Sequence, residues 1–322
     1  MERWQLQQLQ ALPLEVKVRK TQERIKEWYE YWNGQVYVSF SGGKDSTVLL
    51  HIARELYPDI EAVFMDTGLE YPEIRAFVKT LNNVTWLRPK MNFKQVIEKY
   101  GYPVVSKDVS QRIEEVRKSI SRGNMDTVRH RQLLGLEKKK NGEPSEFNCE
   151  QWRFLLNAPF KISDKCCNIM KKLPAKEYEK ESSKYPIIGI MATESKQRTN
   201  KWLKHGCNAF SMKRPQSNPI SFWTEQDILH YILQNNLQIA SCYGEIIEGD
   251  QIEGQAVLDG CMSNLTTSKC KRTGCMFCMF GVHLEKEPNR FQMMKETHPR
   301  QYNYCINKLG LGEVLDFINV KY

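Results

Sequence analysis

A largely apolar run, a glycine pair and a helical pattern follow one another near the start of the chain, and this succession constrains the fold most strongly. Residues 35–40 include β-branched Val36 and Val38 and lead into Ser41-Gly42-Gly43-Lys44-Asp45-Ser46. The next apolar residues share one helical face: Val48, Leu49, Ile52, Ala53 and Leu56. A tight turn between strand and helix directs backbone N–H groups and the positive helix end at an anion, and Lys44 adds a charge. The loop therefore predicts a phosphate-binding site.

Further strands and helices alternate after this loop. The runs Ala62 to Met65 and Val84 to Leu87 are typical of strands, and the residues between them have helical spacing. After a long intervening segment, another apolar run covers residues 187–191. Strands that alternate with helices form a parallel sheet with helices packed on its faces. The sequence predicts an α/β fold with a doubly wound parallel sheet.

The same pattern divides the chain into three regions. Residues 1–33 are predicted to form a helical lead-in, residues 34–235 the α/β domain with the phosphate loop, and residues 236–322 a Cys-rich C-terminal region. A helical insertion over about residues 104–165 interrupts the α/β domain. A chain of 322 residues, 41% of them hydrophobic, is long and apolar enough to bury a substantial core.

Charge and targeting signals limit the partners and the location. The formal net charge is +9, and the segment between Glu194 and Glu225 has no acidic residue. Its cations are Lys196, Arg198, Lys201, Lys204, Lys213 and Arg214. Such a segment favours an anionic partner, unless it is only a solvated face. No signal-peptide core occurs in the first 20 residues and no run is long enough to span a bilayer, which predicts a cytoplasmic protein without a membrane partner.

Four groups of residues together resemble one known family, the PP-loop superfamily. They are Ser39-Phe40-Ser41-Gly42-Gly43-Lys44-Asp45-Ser46; Asp66-Thr67-Gly68 with Tyr71-Pro72-Glu73; Cys166-Cys167 with Lys171-Lys172 and Pro174; and Pro219-Ile220 with Trp223-Thr224 and Asp227. This superfamily includes N-type ATP pyrophosphatases, ATP sulfurylase small subunits and phosphoadenosine phosphosulfate (PAPS) reductases. The resemblance covers most of the chain after residue 34 and implies the PP-loop, adenine nucleotide alpha hydrolase-like fold.

The resemblance implies an adenine nucleotide site beyond the carboxyl ends of the strands. It assigns nucleotide contacts to Ser39, Ser41, Gly42, Gly43, Lys44, Asp45, Ser46, Asp66, Thr67, Gly68, Gly189 and Glu194. Asp66 would lie near the ribose, the adenine or a bound Mg²⁺, or would only stabilise the strand end as an Asx turn. We expect catalytic roles for Lys44, Asp45, Asp66, Arg198 and Cys270. Arg198 suits a bidentate contact to phosphate or sulfate. Cys270 could be a substitute metal ligand or a nucleophile that carries sulfur.

Two cysteine pairs point to a metal centre. Adenylyl-sulfate reductases of this family hold a 4Fe-4S cluster with an adjacent pair and a CxxC, and this chain has Cys166-Cys167 and Cys275-Met276-Phe277-Cys278. The resemblance therefore implies Cys166, Cys167, Cys275 and Cys278 as cluster ligands. The alternative is Zn²⁺ bound by Cys261, Cys270, Cys275 and Cys278, since four thiolates in one loop-rich segment also suit zinc.

Two departures from the reductases favour ATP as the substrate. PAPS and adenylyl-sulfate reductases usually replace the Lys-Asp-Ser part of the loop, whereas this chain keeps it as Lys44-Asp45-Ser46. They also carry a C-terminal Glu-Cys-Gly motif, and this sequence ends at Lys321-Tyr322 without one. The resemblance then implies an ATP pyrophosphatase that adenylates an acceptor and uses an Fe-S cluster for sulfur transfer.

Three alternatives remain for partners and function. The cluster-bearing thiolation enzymes of the superfamily modify nucleic acid, so a nucleic-acid acceptor and a sulfur-donor protein are implied as partners. The basic segments at 107–140 and 195–224 are consistent with such an acceptor. A second reading is a reductase of PAPS or adenylyl sulfate that uses Cys270 or Cys305 as its nucleophile. A third is a non-catalytic nucleotide sensor with a structural zinc site.

Overall fold

The computed structural model describes residues 1–249 and 264–322. The helices are α1 Arg3–Gln10, α2 Leu14–Tyr31, α3 Lys44–Leu56, α4 Pro72–Lys79, α5 Phe93–Tyr100, α6 Lys107–Ser121, α7 Val128–Leu133, α8 Leu173–Ser182, α9 Lys196–His205, α10 Glu225–Gln234, α11 Arg290–Thr297, α12 Pro299–Asn303 and α13 Leu311–Phe317. The strands are β1 Val36–Phe40, β2 Ala62–Met65, β3 Val84–Leu87, β4 Val104–Val105, β5 Tyr185–Ile188, β6 Asn208–Ala209, β7 Gln216–Ser217, β8 Ile246–Glu248, β9 Leu265–Thr267 and β10 Met279–Phe280.

A six-stranded sheet in the order β3-β2-β1-β5-β7-β6 carries the fold. Its neighbouring strands are parallel, except that β6 runs antiparallel to β7. Strands β2 and β3 lie on one side of the central strand β1. Strands β5 and β7, which come later in the chain, lie on its other side. This order confirms the predicted α/β fold with a mainly parallel sheet. Because Phe40 pairs with Phe64 and Ser39 with Ile188, the carboxyl ends of β1, β2 and β5 lie side by side.

The local start and stop signals explain the elements around the loop. Thr224 and Asp227 form a capping box at the start of α10, in which each side chain accepts a hydrogen bond from the other residue's backbone N–H. The strand predicted at 187–191 instead spans Tyr185–Ile188. It ends before Gly189 because the chain then turns into the short helical turn Ala192–Glu194.

The chain forms two compact units that do not follow chain order. The first unit contains residues 1–66, 70–88 and 175–273. It holds the six-stranded sheet, and its core includes Trp28, Val38, Phe64, Ile187 and Trp223. The predicted helical lead-in forms α1 and α2 and packs within this unit, where the Trp28 ring stacks on Phe210 with centroids 5.0 Å apart.

The second unit contains residues 67–69, 89–174 and 274–322. The two-residue strands β4 and β10 pair in parallel within it, Met279 with Val104 and Phe280 with Val105. The predicted helical insertion supplies α6 and α7. In the part of the chain that the structure describes, no helix is long and apolar enough to cross a lipid bilayer.

Candidate functional site

The phosphate loop turns tightly between β1 and α3 through hydrogen bonds among its own residues. The Ser46 hydroxyl donates to the Gly43 carbonyl at 2.9 Å and accepts from the Ser41 backbone N–H at 3.2 Å. The Gly43 N–H donates to Ser41 Oγ at 3.3 Å. These serines therefore hold the loop in shape, which gives Ser41 and Ser46 of the predicted site a direct structural role.

Two glycines allow the loop to pack as it does. Gly42 has a φ of +72°, and a Cβ on it would lie 2.7 Å from Ile74 Cγ2 of α4. Gly189 follows β5, and a Cβ there would lie 3.3 Å from the Ser46 Cα. A side chain at Gly42 would be strained by both its backbone angle and this contact. The glycines thus let α4 and the segment after β5 approach the phosphate loop closely.

Lys44 is buried at the start of α3, with 3% of the residue exposed. Its Nζ lies 3.0 Å from Glu225 Oε1 at the start of α10 and donates to the Lys271 carbonyl at 2.9 Å. Its backbone N–H donates to the Tyr243 hydroxyl at 3.2 Å, and that hydroxyl is 2.6 Å from Thr273 Oγ1. We call residues 269–273 the strap. A bound phosphate would accept hydrogen bonds from the ammonium group and the backbone N–H of Lys44. In this structure the ammonium donates to the strap and the N–H donates to Tyr243.

Asp45 is the second predicted catalytic residue of the loop. Burial raises the pKa of its carboxyl, and the Lys44 ammonium opposes this rise. Its Oδ1 is buried without a hydrogen-bond partner in the described residues and lies 4.0 Å from Lys44 Nζ. A buried carboxylate oxygen without a partner is costly, so a cation or a donor from a ligand would stabilise it.

Glu194 gathers two arginines beside the loop. Its carboxylate accepts from Arg272 of the strap at 2.7 Å and forms an ion pair with Arg198 of α9. The Met191 backbone N–H donates to the other carboxylate oxygen at 3.0 Å, which fixes the side chain. The positive charge of both guanidiniums lowers the pKa of the nearby Asp45 carboxyl, against the effect of burial. Glu194 therefore positions two cations that can bind an anionic group of a ligand.

Asp66 directly follows β2, the strand that pairs in parallel with β1. Its side chain is buried and forms ion pairs with Arg75 of α4 at 3.0 Å and with Arg88 after β3 at 3.4 Å. Thr67 and Gly68 belong to the second unit, where Thr67 Oγ1 accepts from the Leu69 N–H at 3.2 Å. Gly68 has a φ of +75°. Asp66 serves as an anchor for two arginines, a role that the sequence did not suggest.

The four cysteines predicted as ligands all belong to the second unit. Burial raises the pKa of the Cys166 thiol, and Cys167, Cys275 and Cys278 raise it further while Lys171 lowers it. Burial also raises the pKa of Cys278, which Arg290 and Lys171 lower. The four thiols thus share one electrostatic neighbourhood. Within residues 1–249 and 264–322, however, no group of three or more His, Cys, Asp or Glu side chains has a metal-binding arrangement.

Cys270 lies in the first unit, on the strap that contacts Lys44. Its Sγ is 4.0 Å from the Tyr71 hydroxyl and 2.8 Å from the Arg272 carbonyl oxygen. Its backbone N–H donates to the Cys242 carbonyl at 3.2 Å, so the two cysteines lie on paired segments. Burial, and to a smaller extent the nearby Cys270, raises the pKa of the Cys242 thiol to about 12. The alternative zinc set needs Cys261, which lies outside the described residues.

The basic segments expected to bind an anionic partner are partly neutralised by acidic residues. In the insertion, Arg129 lies 3.2 Å from Glu115 and Arg131 2.8 Å from Glu137. In the segment after Glu194, Arg214 donates twice to Glu179 at 2.6 and 2.7 Å. Part of the positive charge in these segments is therefore paired within the chain.

These features define an α/β protein with a mainly parallel sheet and a tight glycine turn between its central strand and the following helix. A family model described as the phosphoadenosine phosphosulfate reductase domain matches residues 35–128 and 122–280. Because the match covers well over half of the chain, the protein belongs to the phosphoadenosine phosphosulfate reductase domain family. This membership confirms the resemblance expected from the motifs.

The relatives include named reductases. The chain is 22% identical over 237 residues to an adenosine 5'-phosphosulfate reductase of Geobacillus kaustophilus, covering 73% of this chain and 79% of that protein. It is 32% identical over 77 residues to a phosphoadenosine 5'-phosphosulfate reductase of Vibrio campbellii, covering 24% of this chain and 30% of that protein.

Two further comparisons involve an uncharacterized protein and a solved structure. An uncharacterized protein of Methanocaldococcus jannaschii is 39% identical over 93 residues, which are 26% of this chain and 22% of that protein. The chain thus matches about a fifth of the length of this protein and of a second one from the same organism. A crystal structure of PAPS reductase from Candida auris, in a phosphate complex, covers 75% of this chain and 90% of its own at 14% identity, with a TM-score of 0.38.

Several site residues were missed from the sequence. They are Glu225, Tyr243, Lys271, Arg272 and Thr273 around Lys44 and Glu194, and Arg75 and Arg88 around Asp66. Tyr243 and the strap lie about 200 residues after the loop that they contact. The only available signal was the basic strap itself, Lys269 to Thr273, just before the CxxC.

Proposed function

We propose that this enzyme binds ATP at the phosphate loop and cleaves it between the α- and β-phosphates, adenylating an acceptor oxygen. The acceptor oxygen would attack the α-phosphorus, the bond to the β-phosphate oxygen would break, and pyrophosphate would leave. The observation that carries this proposal is the ammonium group of Lys44, which is buried at the end of the loop and now pairs with Glu225 and the Lys271 carbonyl. A buried cation at that position neutralises charge that develops on a leaving pyrophosphate.

Asp45 fits the Mg²⁺ that this reaction needs. Its buried Oδ1 has no hydrogen-bond partner in the described residues, and Mg²⁺ prefers such hard oxygen ligands. Bound there, the ion would screen the phosphate charge. Arg198 and Arg272, both held by Glu194, would contact the phosphate oxygens.

The donor chemistry of the second unit fits a 4Fe-4S cluster. Cys166, Cys167, Cys275 and Cys278 share an electrostatic neighbourhood that also contains Lys171 and Arg290. Four thiolates hold such a cluster, and nearby cations reduce the cost of their charge. When bound, the cluster would hold or position sulfur supplied by a donor protein. The residues of this chain would orient the adenylated acceptor, which we propose is nucleic acid.

A reductase of adenylyl sulfate or PAPS is the second candidate, and the position of Cys270 favours it. This thiol lies on the strap next to Lys44, in a chain whose relatives are named reductases. The Cys270 thiolate would attack the sulfate sulfur, and the nucleotide would leave with both electrons of the broken S–O bond. A dithiol reductant would then release sulfite from the Cys270 S-sulfonate and would itself be oxidised to a disulfide.

One experiment separates these candidates. The purified protein is incubated with Mg²⁺ and ATP labelled on the α-phosphate, with nucleic acid as acceptor, and in parallel with adenylyl sulfate or PAPS and a dithiol. Acceptor-dependent AMP transfer and pyrophosphate release, lost in Lys44→Ala and kept in Cys270→Ser, would support the ATP reaction. Sulfite release that is lost in Cys270→Ser would support the reductase.

The matched control for Lys44→Ala is Lys196→Ala, which removes a lysine from the first turn of α9 without touching the loop. It should leave either reaction unchanged. Tight nucleotide binding with neither pyrophosphate nor sulfite release would contradict both reactions and favour a nucleotide sensor with a structural zinc site.

A further inference from the structure

An open depression of about 570 Å³ lies at the edge strand of the sheet in the first unit. Its lining includes Arg75 and Lys79 of α4, Trp86 of β3 and Arg88 just after β3. β3 is the terminal strand of the sheet, and all four of its residues are only half-buried. None of the lining residues belongs to the phosphate loop.

The depression combines three cations, two of which share the carboxylate of Asp66. Asp66 is buried and contacts both Arg75 and Arg88, so it holds two guanidiniums together that would otherwise repel each other. Lys79 adds a third cation at the last turn of α4. Three cations lining one depression favour an anionic ligand.

A buried donor in this cluster has no partner. Arg75 donates through one terminal nitrogen to Asp66, but its Nε is buried and makes no hydrogen bond in the described residues. Buried donors are normally satisfied, and those that are not often mark a place for a ligand or an ordered water. An anionic oxygen in the depression would be an acceptor near this group.

Trp86 gives the depression an aromatic surface. One contact holds the indole in place, because its ring packs edge-to-face against Phe64 with centroids 4.7 Å apart. The indole is half-buried and lines the depression. An aromatic side chain beside a group of cations is the combination by which proteins stack a nucleic-acid base and bind its phosphate.

We propose that this depression, which we call the β3-edge site, binds one base and its phosphate, with the base stacked on Trp86 and the phosphate on Arg88 and Lys79. The open form and the exposed Arg88, 75% of whose side chain is accessible, favour a single-stranded nucleic acid over an enclosed small molecule. The site would lie outside the phosphate loop and locate the nucleic-acid acceptor of the proposed function, on which this part of the inference rests.

The test measures binding without turnover. A fluorescein-labelled oligonucleotide of about ten thymidines, within the usual range of site sizes, is titrated with the full chain without Mg²⁺ or ATP, and anisotropy is recorded. We expect Trp86→Leu to weaken binding at least about fivefold, as the loss of one stacked base does. Arg88→Ala and Lys79→Ala should weaken it and reduce its dependence on salt.

Three controls make the outcome specific. Lys26→Ala removes an exposed lysine from α2 and should not change the affinity. Lys44→Ala should retain oligonucleotide binding, because the phosphate loop is a different site. Trp86→Leu should retain ATP binding, which shows that the first unit is folded. Arg88→Ala changes an exposed side chain, so the test does not depend on the tryptophan variant alone.

A competition arm identifies the source of the ligand. AMP that displaces the oligonucleotide only weakly would support a nucleic-acid chain, whereas Trp86-dependent binding of AMP without oligonucleotide binding would support a free nucleotide. Equal affinity of the wild type, Trp86→Leu and Arg88→Ala would overturn the proposal, as would binding lost only in Lys44→Ala. Because no reaction is measured, failure of the proposed adenylation would leave this result interpretable.

Discussion

At the scale of single residues, the phosphate loop depends on a glycine that no other residue can replace without cost. Gly42 has a φ of +72°, and a Cβ there would lie within 2.9 Å of both Ile74 and Val78. A side chain at this position would reduce stability in two ways. The positive φ would strain its backbone, and its Cβ would be packed too closely against α4. The two can be measured separately, because the chain also contains a glycine with the same backbone angle and open space.

We expect Gly42→Ala to destabilise the fold by about 3 kcal/mol, since it combines left-handed strain with overpacking. Gly123 has a φ of +75° and nothing within 4 Å of its added Cβ, so Gly123→Ala should cost only about 1 kcal/mol. Urea denaturation of both variants gives the difference. Equal costs would mean that α4 adjusts to the new methyl group.

If a nucleotide binds at the loop as proposed, the Tyr243 hydroxyl competes with it for the Lys44 N–H. This hydroxyl accepts from the Lys44 N–H, so Tyr243→Phe should free this amide and tighten ATP binding by up to about tenfold, the value of one net hydrogen bond. Thr273→Val removes the other partner of this hydroxyl and serves as the matched control, which should not gain affinity. Isothermal titration with ATP measures both. Weaker binding by Tyr243→Phe would show that the hydroxyl supports the nucleotide.

Asp45 should give the stability a pH dependence of a defined sign. In the unfolded chain an Asp ionises at a pKa of about 3.9, and burial raises the pKa of Asp45 in the folded chain. The folded state then keeps a proton that the unfolded state has lost, so the free energy of unfolding falls as pH rises through this window and levels off above the folded pKa.

Urea denaturation between acid and neutral pH tests this sign. Relative to Asp45→Asn, the wild type should lose stability as pH increases, and exposed Asp59→Asn should behave as the wild type does. A wild-type stability that rises with pH relative to Asp45→Asn would mean that Lys44 and the two arginines outweigh burial.

At the scale of elements, the sequence predicted what depends on neighbours in the chain. The strands Ala62–Met65 and Val84–Leu87 and the helix after the phosphate loop all follow from local signals and agree with the structure. Residues that approach from distant segments were missed, because nothing in the local sequence specifies them. Tyr243 reaches the Lys44 N–H across 199 positions, and Arg272 reaches Glu194 across 78.

The ion pair between α2 and α10 also joins residues that are far apart in the sequence. Its contribution to the free energy of unfolding can be measured. Lys17 is buried on α2, and its Nζ lies 2.7 Å from both carboxylate oxygens of Asp227. Lys17→Met should destabilise the fold by on the order of 3 kcal/mol, because it leaves a largely buried carboxylate unpaired. Adding Asp227→Asn should restore part of this loss, since the buried charge is then removed as well.

Urea denaturation of the single and double variants tests this pair. The control is Arg24→Met, which breaks an exposed ion pair with Glu27 and should cost less than about 1 kcal/mol. Additive costs for Lys17→Met and Asp227→Asn would contradict a direct interaction.

At the scale of the whole molecule, the chain passes repeatedly between two compact units, and no composition shift marks these passages. Residues 264–273 belong to the first unit and residues 274–322 to the second, although both parts belong to the Cys-rich region predicted as one. The sequence could not reveal this division because the strap and the CxxC are adjacent. As a consequence, Cys270 belongs to the first unit, whereas Cys275 and Cys278 belong to the second.

Because of this division, the metal content of cysteine variants can show which unit binds the metal. If the four thiols of the second unit hold a 4Fe-4S cluster, protein purified without oxygen should contain about four iron and four sulfide per chain. Cys166→Ala and Cys278→Ala should lose both, because each removes a ligand from the shared neighbourhood. Cys270→Ala should keep both, since Cys270 belongs to the first unit.

The matched control is Cys305→Ala. Cys305 is fully buried in the second unit, and burial raises the pKa of its thiol to about 12, so it is an inert packing residue whose loss should leave iron and sulfide unchanged. Iron that persists in Cys278→Ala would contradict the cluster assignment. Zinc in the wild type, lost in Cys270→Ala as well as in Cys278→Ala, would support instead the alternative zinc set of Cys261, Cys270, Cys275 and Cys278.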